Sequence, residues 1–532
     1  MPQHEIEVAV LEAIEPGGML QVEMDGEKIL LVRDGDTIHA VGAICPHAGA
    51  PLIQGVRNGD RIICPWHKAA FCIRTGAVLD PPALDALPRY DVRLDAGRIL
   101  LTKLAATPDG PAATPLDATP DRRCFVIVGA GGAGAAAAQT LREVGREAGF
   151  MGRIVMLDPA NRVPYDRTVL SKYALSGRKG AEKTPLQTQA FYREHGIERR
   201  TAEVTRIDAH ARRITCADGS VLDYDAALLA TGGTPAKPSM PGAELRHVYT
   251  LRSRGDAEAI LEQAERSNCA VILGASFIGM EVAASLRERG LDVTVVGKEA
   301  APFAKQLGEQ GGRAFVGLHE QHGVAFRLGS GVASLESDGQ GGDGQVSAVV
   351  LDSGERIAAD LVVVGFGVKP ATSYAGDLAR SDDGGIIVDA NLCAAPGLYA
   401  AGDIAQFPYR GDGAPVRVEH WRVAEQHGRV AALNMLGQAT RYDAVPVFWT
   451  IQYMKRLDYV GHAADWDSVV LHGDVGKADF LAYYLRDGRV AAAVGMGRDQ
   501  DTAALIELFT MRRDWTVADL GESPAAVLAA AQ

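Results

Sequence analysis

The chain has 532 residues, with 54 Lys and Arg against 67 Asp and Glu, a formal net charge of −13. That length holds about three or four domains of ordinary size, each with its own core. The acidic balance gives a nucleic-acid role no electrostatic support, so no nucleic-acid partner is expected.

The first residues, Met1-Pro2-Gln3-His4-Glu5-Ile6-Glu7, carry neither a basic n-region nor an apolar core, so no signal peptide is read there and a cytoplasmic setting is expected. Cys124 to Leu141 is uncharged and long enough to resemble a membrane span. Its glycines favour a buried strand-turn-helix unit instead, and no membrane span is expected. The seven cysteines are odd in number and scattered, which argues against a disulfide framework.

Residues 5–41 alternate apolar and polar side chains in short runs, such as Lys28-Ile29-Leu30-Leu31-Val32, and predict an all-β unit. Cys45-Pro46-His47 follows and, after sixteen intervening residues, Cys64-Pro65-Trp66-His67. Two Cys-His pairs allow a tetrahedral Cys2His2 zinc site, or a [2Fe–2S] centre with two thiolates on one iron and two imidazoles on the other. The spacing does not match the helical His-x3–5-His of a zinc finger. With its prolines and Thr75-Gly76 the stretch resembles the Rieske family, which implies Cys45, His47, Cys64 and His67 as cluster ligands. High-potential members bridge the two ligand loops by a disulfide; the corresponding positions here are Ala50 and Trp66. The resemblance is therefore to the disulfide-free, ferredoxin-type subgroup. It implies a potential toward the low end of the roughly −150 to +300 mV Rieske range. Lys68 and Ala69 depart from the glycine usual after the second histidine, and Cys72 reads as a small core residue.

A stretch rich in Pro, Ala, Thr and Asp, through Asp121, reads as a linker that keeps the cluster at high effective concentration near its electron donor. The β-rich run Cys124–Val128 then ends in Gly129-x-Gly131-x-x-Gly134 and continues into Ala135–Leu141, which reads as a helix. Strand before and helix after is the context that the dinucleotide fingerprint requires. Gly129 makes the turn, Gly131 lets the backbone approach a pyrophosphate, and Gly134 lets helix pack on strand. The helix N-terminus offers free N–H groups to phosphate. About 24 residues on, the strand Arg153–Asp158 ends in an acid placed for a ribose diol.

Pro164-Tyr165-Asp166-Arg167-Thr168-Val169-Leu170-Ser171-Lys172 carries a more specific resemblance. The chain resembles the ferredoxin-reductase-like flavoproteins of oxygenase systems, in their Rieske-bearing, apoptosis-inducing-factor-like branch, over nearly its whole length. The resemblance implies FAD, with Arg167 near its phosphates or adenosine and Lys172 at the reactive flavin face. It also implies Val204 against the adenine, the Thr231-Gly232 turn beside the cofactor, and Asp403 on the ribityl chain.

A second fingerprint opens at Gly274-Ala275-Ser276-Phe277-Ile278-Gly279, with Ser276 in the second glycine position. It predicts a nicotinamide nucleotide held by Gly274, Ser276, Ile278, Gly279, Lys298 and Gly365; an empty, degenerate nucleotide fold is the alternative. The strand Leu291–Val296 is followed by Gly297, where an acid would favour the NAD ribose and a base the NADP phosphate. The family resemblance inclines the choice of NAD(P)H toward NADH. It also implies a Lys172–Glu281 ion pair and an aromatic residue, Trp421, near the nicotinamide pocket; these three are the catalytic candidates. From about Tyr442 a strand-rich pattern and two last helices, Asp501–Met511 and Ser523–Ala530, resemble the family's C-terminal domain. Trp449 there either borders the flavin or fills an interdomain interface.

The expected fold is multidomain α/β plus all-β: an N-terminal Rieske β-sandwich, two Rossmann-like FAD and NAD(P) domains of the glutathione-reductase type, and a C-terminal α+β domain. Expected limits are 1–105 for the Rieske domain, 106–121 for the linker, 122–243 and 366–440 for the FAD domain, 244–365 for the NAD(P) domain and 441–532 for the C-terminal domain. The expected activity passes a hydride from NAD(P)H to FAD. Single electrons then go to the chain's own [2Fe–2S] cluster and on to an external acceptor, protein or small molecule. A homodimer is left open. One alternative is a redox-signalling flavoprotein with a long-lived charge-transfer complex and little turnover. A substrate-converting reductase is a second, and no further motif supports it.

Overall fold

A computed structural model of the chain describes residues 5–104, 121–178, 185–337, 339, 344–411 and 413–531. Of the expected linker only Asp121 lies among them; the rest falls outside the described residues.

The alternating pattern of the first hundred residues folds into two antiparallel sheets. Six strands, from Ile6–Val10 to Arg98–Lys103, form one, and four short ones form the other: Val56–Asn58, Arg61–Ile63, Ala70–Cys72 and Val78–Asp80. Cys45–His47 follows the strand Thr37–Gly42, and Cys64–His67 joins Arg61–Ile63 to Ala70–Cys72. Each loop closes in the same way. The Cys45 N–H donates to the Ala50 carbonyl at 2.8 Å, and the Cys64 N–H to the Ala69 carbonyl at 2.8 Å. Leu30, Val32, Leu52, Phe71 and Ile73 pack in one apolar cluster with the two ligand cysteines.

Cys124–Val128 is central in a six-stranded sheet. Its parallel neighbours are Arg153–Asp158 and Ala226–Leu229; Ile197–Thr201 and Leu398–Ala400 extend it in parallel, and Cys393–Ala395 closes it antiparallel. Phe125–Val128 and Ile154–Leu157 are wholly buried, as strands covered on both faces must be. The following helix spans Gly132–Glu147, three residues longer at its start than the apolar pattern predicts, because Gly131 is its N-cap. The helix Trp421–Met435 lies against it so closely that a Cβ at Gly428 would sit 2.0 Å from the Ala133 carbonyl oxygen. Cys269–Leu273 centres a second, five-stranded parallel sheet, and the helix Phe277–Glu288 follows it. Five antiparallel strands between Val447 and Met496, with the helices Asp499–Met511, Val517–Leu520 and Pro524–Ala530, complete the chain.

The Rieske unit is seated on its own chain. Val56, Ile63 and Ala70 share an apolar cluster with Val447, Leu481, Tyr483 and Leu505 of the C-terminal region. Around it, Asn58 Nδ2 donates to Glu507 Oε2 at 2.7 Å and Arg61 Nε lies 3.2 Å from the same oxygen. Gln426 Nε2 donates to Asp80 Oδ1 at 3.0 Å, and Arg422 Nε to the Pro81 carbonyl at 3.0 Å. The expectation of a tether therefore understates the contact: the unit has a fixed seat, apolar at its centre and ionic at its rim. No described helix is long and apolar enough to cross a membrane, and none of the seven cysteines is in a disulfide.

Candidate functional site

The four expected cluster ligands converge. Cys45 and Cys64 are each 1 % exposed, and the His47 and His67 Nδ1 atoms lie 3.1 Å apart toward the outside of the unit. A hydrogen bond between the two thiols raises Cys45 and holds Cys64 down to about 6. Two sulfurs within and two nitrogens without are the donor set of a [2Fe–2S] centre, two protein donors to each iron. The residues present fit the diiron centre.

The imidazoles face the rest of the chain. The His67 ring lies 4.5 Å, centroid to centroid, from Trp449, and His47 Nε2 lies 3.9 Å from Asp166 Oδ2. Trp449 lines a cleft of about 740 Å³, and Arg167, Thr168 and Lys172, just past Asp166, line it too. That volume is of the size that cofactor sites take, about 300–1,000 Å³. The cleft is bounded by both fingerprints, since Gly129 to Ala133 form one side and Ser276, Phe277, Ile278 and Glu281 another.

The glycines divide by role. Gly129 has φ +106°, and a Cβ there would lie 2.3 Å from the Ala230 carbonyl oxygen, while one at Gly134 would lie 2.0 Å from the Gly129 oxygen. Those two are required by the protein's own packing. A Cβ at Gly131 would meet no protein atom within 4 Å, so only a ligand can require that glycine. Gly274 and Gly279 repeat the first pattern in the second unit, against Gly365 and Gly274 respectively. Ser276 caps the helix Phe277–Glu288, its hydroxyl oxygen accepting from the Gly279 N–H at 3.2 Å. The hydroxyl proton is not engaged by that bond and can be donated to a phosphate.

Arg167 borders the cleft and makes no ion pair among the described residues; burial, then neighbouring Arg252, hold its pKa below the usual value. A half-buried guanidinium that makes no ion pair among the described residues, beside a glycine loop, is suited to hold an anion. Asp158 accepts from the Ala130 N–H at 2.8 Å and, with Arg199 and Thr201, lines a smaller cavity of about 200 Å³ where an adenosine end fits. Asp403 meets Arg252 Nη2 at 2.9 Å, and the Thr231 hydroxyl donates to the Ala371 carbonyl at 2.8 Å. Gly232 and Gly365 also line the cleft. The residues present thus fit FAD.

Lys172 and Glu281 come together at 3.1 Å, with side chains 7 % and 2 % exposed. Glu281 Oε2 also accepts from the Ser171 hydroxyl, and Oε1 from Thr450 Oγ1 at 2.7 Å. Lys172 Nζ further donates to the Thr168 carbonyl at 3.0 Å. The carboxylate thus has donors on both oxygens, which fixes its plane and, through it, the lysine.

Some expected residues lie elsewhere. Val204 pairs with Cys216 in a separate antiparallel sheet and lines neither cavity. Lys298 is exposed beyond the strand Asp292–Gly297, outside the cleft. Trp421 lines the cleft on the first-fingerprint side, close over Gly132, while His420 packs on Phe448 and Phe448 on Phe277. Sequence reasoning missed Arg252 and Thr450, which follow or lie within ordinary strands and carry no motif.

Three family models match. Residues 4–91 match "Rieske [2Fe-2S] domain", 124–428 match "Pyridine nucleotide-disulphide oxidoreductase" and 447–530 match "Reductase C-terminal". The chain is 36 % identical to apoptosis-inducing factor 3 of Homo sapiens over 531 residues, 96 % of this chain and 85 % of that one. It is 36 % identical over 385 residues to the anthranilate 1,2-dioxygenase system ferredoxin–NAD(+) reductase component of Burkholderia cepacia, 70 % of this chain and 91 % of that one. The crystal structure of the ferredoxin reductase for the CYP199A2 system from Rhodopseudomonas palustris superposes with TM-score 0.72 at 29 % identity, covering 77 % of this chain and all of that one. Cluster donors, paired nucleotide units and C-terminal sheet all agree with these matches. The chain belongs to the pyridine nucleotide-disulphide oxidoreductases, in the apoptosis-inducing-factor-like branch of ferredoxin-reductase-type FAD/NAD(P)H oxidoreductases that carry a Rieske [2Fe–2S] domain.

Proposed function

We propose that this NAD(P)H-dependent oxidoreductase moves electrons within one polypeptide, from the flavin cleft through the Trp449–His67 contact to its own cluster, and then to a ferredoxin-like or other one-electron acceptor. The observation that carries this is the 4.5 Å approach of the His67 ring to Trp449, a residue of the cleft wall. When bound, FAD and the cluster supply the conversion of a two-electron hydride into single electrons. The protein supplies position. The Gly129–Gly134 loop and Arg167 hold the pyrophosphate, and Asp403 with Arg252 fixes the ribityl side. The Lys172–Glu281 pair orients the nicotinamide against the flavin. The seated Rieske unit covers the Trp449 side and keeps water from it.

The ferredoxin-reductase relatives and the Rieske domain favour the reductase over the signalling reading. NADH is taken as the nucleotide: one relative is named a ferredoxin–NAD(+) reductase, and no base stands at the buried Gly297 position itself. The same reading divides the chain at residues 105, 121, 243, 365 and 440. The test is Cys64→Ser under anaerobic stopped flow. Flavin reduction by NADH should proceed at the parent rate while reduction of an added ferredoxin collapses. Ferredoxin reduced at the parent rate without the cluster would sink the route.

A further inference from the structure

Lys68 is where the second ligand loop leaves the Rieske pattern. It is 1 % exposed and its backbone is left-handed, φ +64°. That conformation is strained for any residue with a Cβ, so tertiary contacts must hold it. The Lys68 ammonium lies 2.8 Å from Asp458 Oδ2, on the strand Lys455–Gly461, and donates to the carbonyl of Asp499 at 3.2 Å. It also donates to the carbonyl of Pro65, the residue after ligand Cys64. Arg456, from the same strand as Asp458, donates from Nη2 to that same Pro65 carbonyl at 3.2 Å. The anionic partners of Arg456 are Asp458, 3.3 Å from Nε, and Asp499.

We propose that Lys68 and Arg456 set the reduction potential of the cluster, so that seating the Rieske unit on the reductase body makes it a better electron acceptor. Reduction adds one negative charge at the cluster, and cations in contact with its ligand loop, Lys68 buried and Arg456 half-buried, favour that form. Two donors on the Pro65 carbonyl also draw charge from the Pro65–Trp66 peptide of the ligand loop, between Cys64 and His67. Lys68 belongs to the Rieske unit, whereas Arg456 and the carboxylates Asp458 and Asp499 belong to the C-terminal domain, so it is the second donor on the Pro65 carbonyl that exists only in the seated state. By linkage, reduction tightens the seat by the factor by which seating favours reduction. Neither residue is a ligand; both are positioning residues that act through Pro65 and through charge.

The proposal rests on the electron route given above for its use, but its test bypasses that route, because soluble mediators reduce the cluster directly. Mediated redox titration of the full-length holoprotein, read by the electron paramagnetic resonance of the reduced cluster, compares wild type with Arg456→Gln, Arg456→Lys and Asp499→Asn. Arg456→Gln should lower the cluster's electron affinity about tenfold, which is about 59 mV for a one-electron couple. Arg456→Lys should restore most of it. Asp499→Asn, which relieves Arg456 of one counter-charge, should shift the potential upward. A potential unmoved by Arg456→Gln overturns the proposal, as does Arg456→Lys behaving like Arg456→Gln. If Arg456→Gln fails to assemble its cluster, Asp499→Asn decides alone, and an unchanged or lowered potential overturns the proposal. Potentials that shift as stated in a protein with no flavin-to-cluster transfer would remove the route and leave this inference standing.

Discussion

The Lys172–Glu281 pair can be taken apart by a double-mutant cycle. At 3.1 Å two unit charges attract by about 5 kcal/mol at an effective dielectric of about 20. Both side chains are buried, so removing one partner strands the other and should destabilise the cleft by about 3–5 kcal/mol. Glu281→Gln and Lys172→Met are the single variants. In the double variant no charge is stranded, so the two changes should fall short of additivity by about 2–3 kcal/mol. Urea unfolding followed by flavin release measures this, with variants compared by difference because a chain of several domains does not unfold in two states. Stopped-flow reduction by NADH gives the second reading. All three variants should reduce slowly, the double included, although its stability returns. Additive stabilities would refute the pair as an energetic unit, and a double variant with parent kinetics would refute its part in hydride transfer.

Three further outcomes follow from the geometry. Gly131→Ala should leave fold and cluster signal intact and weaken FAD at least tenfold by fluorescence titration. Gly134→Ala, whose Cβ would lie 2.0 Å from a backbone oxygen, should destabilise the FAD unit by about 1–3 kcal/mol or more; equal effects at both sites would contradict the division of roles. Glu507→Ala leaves Asn58 without its acceptor and Arg61 with Asp80 alone. It should loosen the Rieske seat by about 2 kcal/mol, seen as faster hydrogen exchange in residues 62–70; unchanged exchange would count against the seat. His319 is wholly buried, its Nε2 is bonded to Gln452 Oε1 at 2.7 Å, and burial pushes its pKa down to about 4 from 6.5. The unfolded chain therefore takes up this proton first, and stability should fall as pH drops from about 6.5 to about 4, by about 3 kcal/mol in all. In His319→Gln that part of the acid sensitivity should vanish; an identical pH profile would remove the assignment.

Most of the architecture was legible because its signals are local. The Gly129–Gly134 spacing, the apolar runs Phe125–Val128 and Cys269–Leu273, and the Cys-Pro-His and Cys-Pro-x-His pairs each depend on neighbours a few residues away. The Lys172–Glu281 pair was reached only through family resemblance, since 108 residues separate its members. What stayed hidden is tertiary. Thr450 and Arg456 sit on strands whose patterns resemble any half-buried strand, and the sheet register alone brings one to Glu281 and the other to Pro65. The seat of the Rieske unit depends on Val56, Ile63 and Ala70, ordinary apolar residues that happen to face the C-terminal core. Val204 and Lys298 were placed by analogy of position; Val204 lies on the strand Val204–Asp208 of a separate sheet, and Lys298 is exposed just past the buried end of Asp292–Gly297, and neither lines the cleft.

The central claim is that flavin and cluster exchange electrons inside one chain. It is tested by mixing the oxidised holoprotein anaerobically with one equivalent of NADH and following the cluster band after the flavin bleaches, over a wide range of protein concentration. A single rate constant, independent of concentration and little changed by salt, is the predicted result. A cluster that reduces in proportion to protein concentration would show transfer between molecules and contradict the seated arrangement.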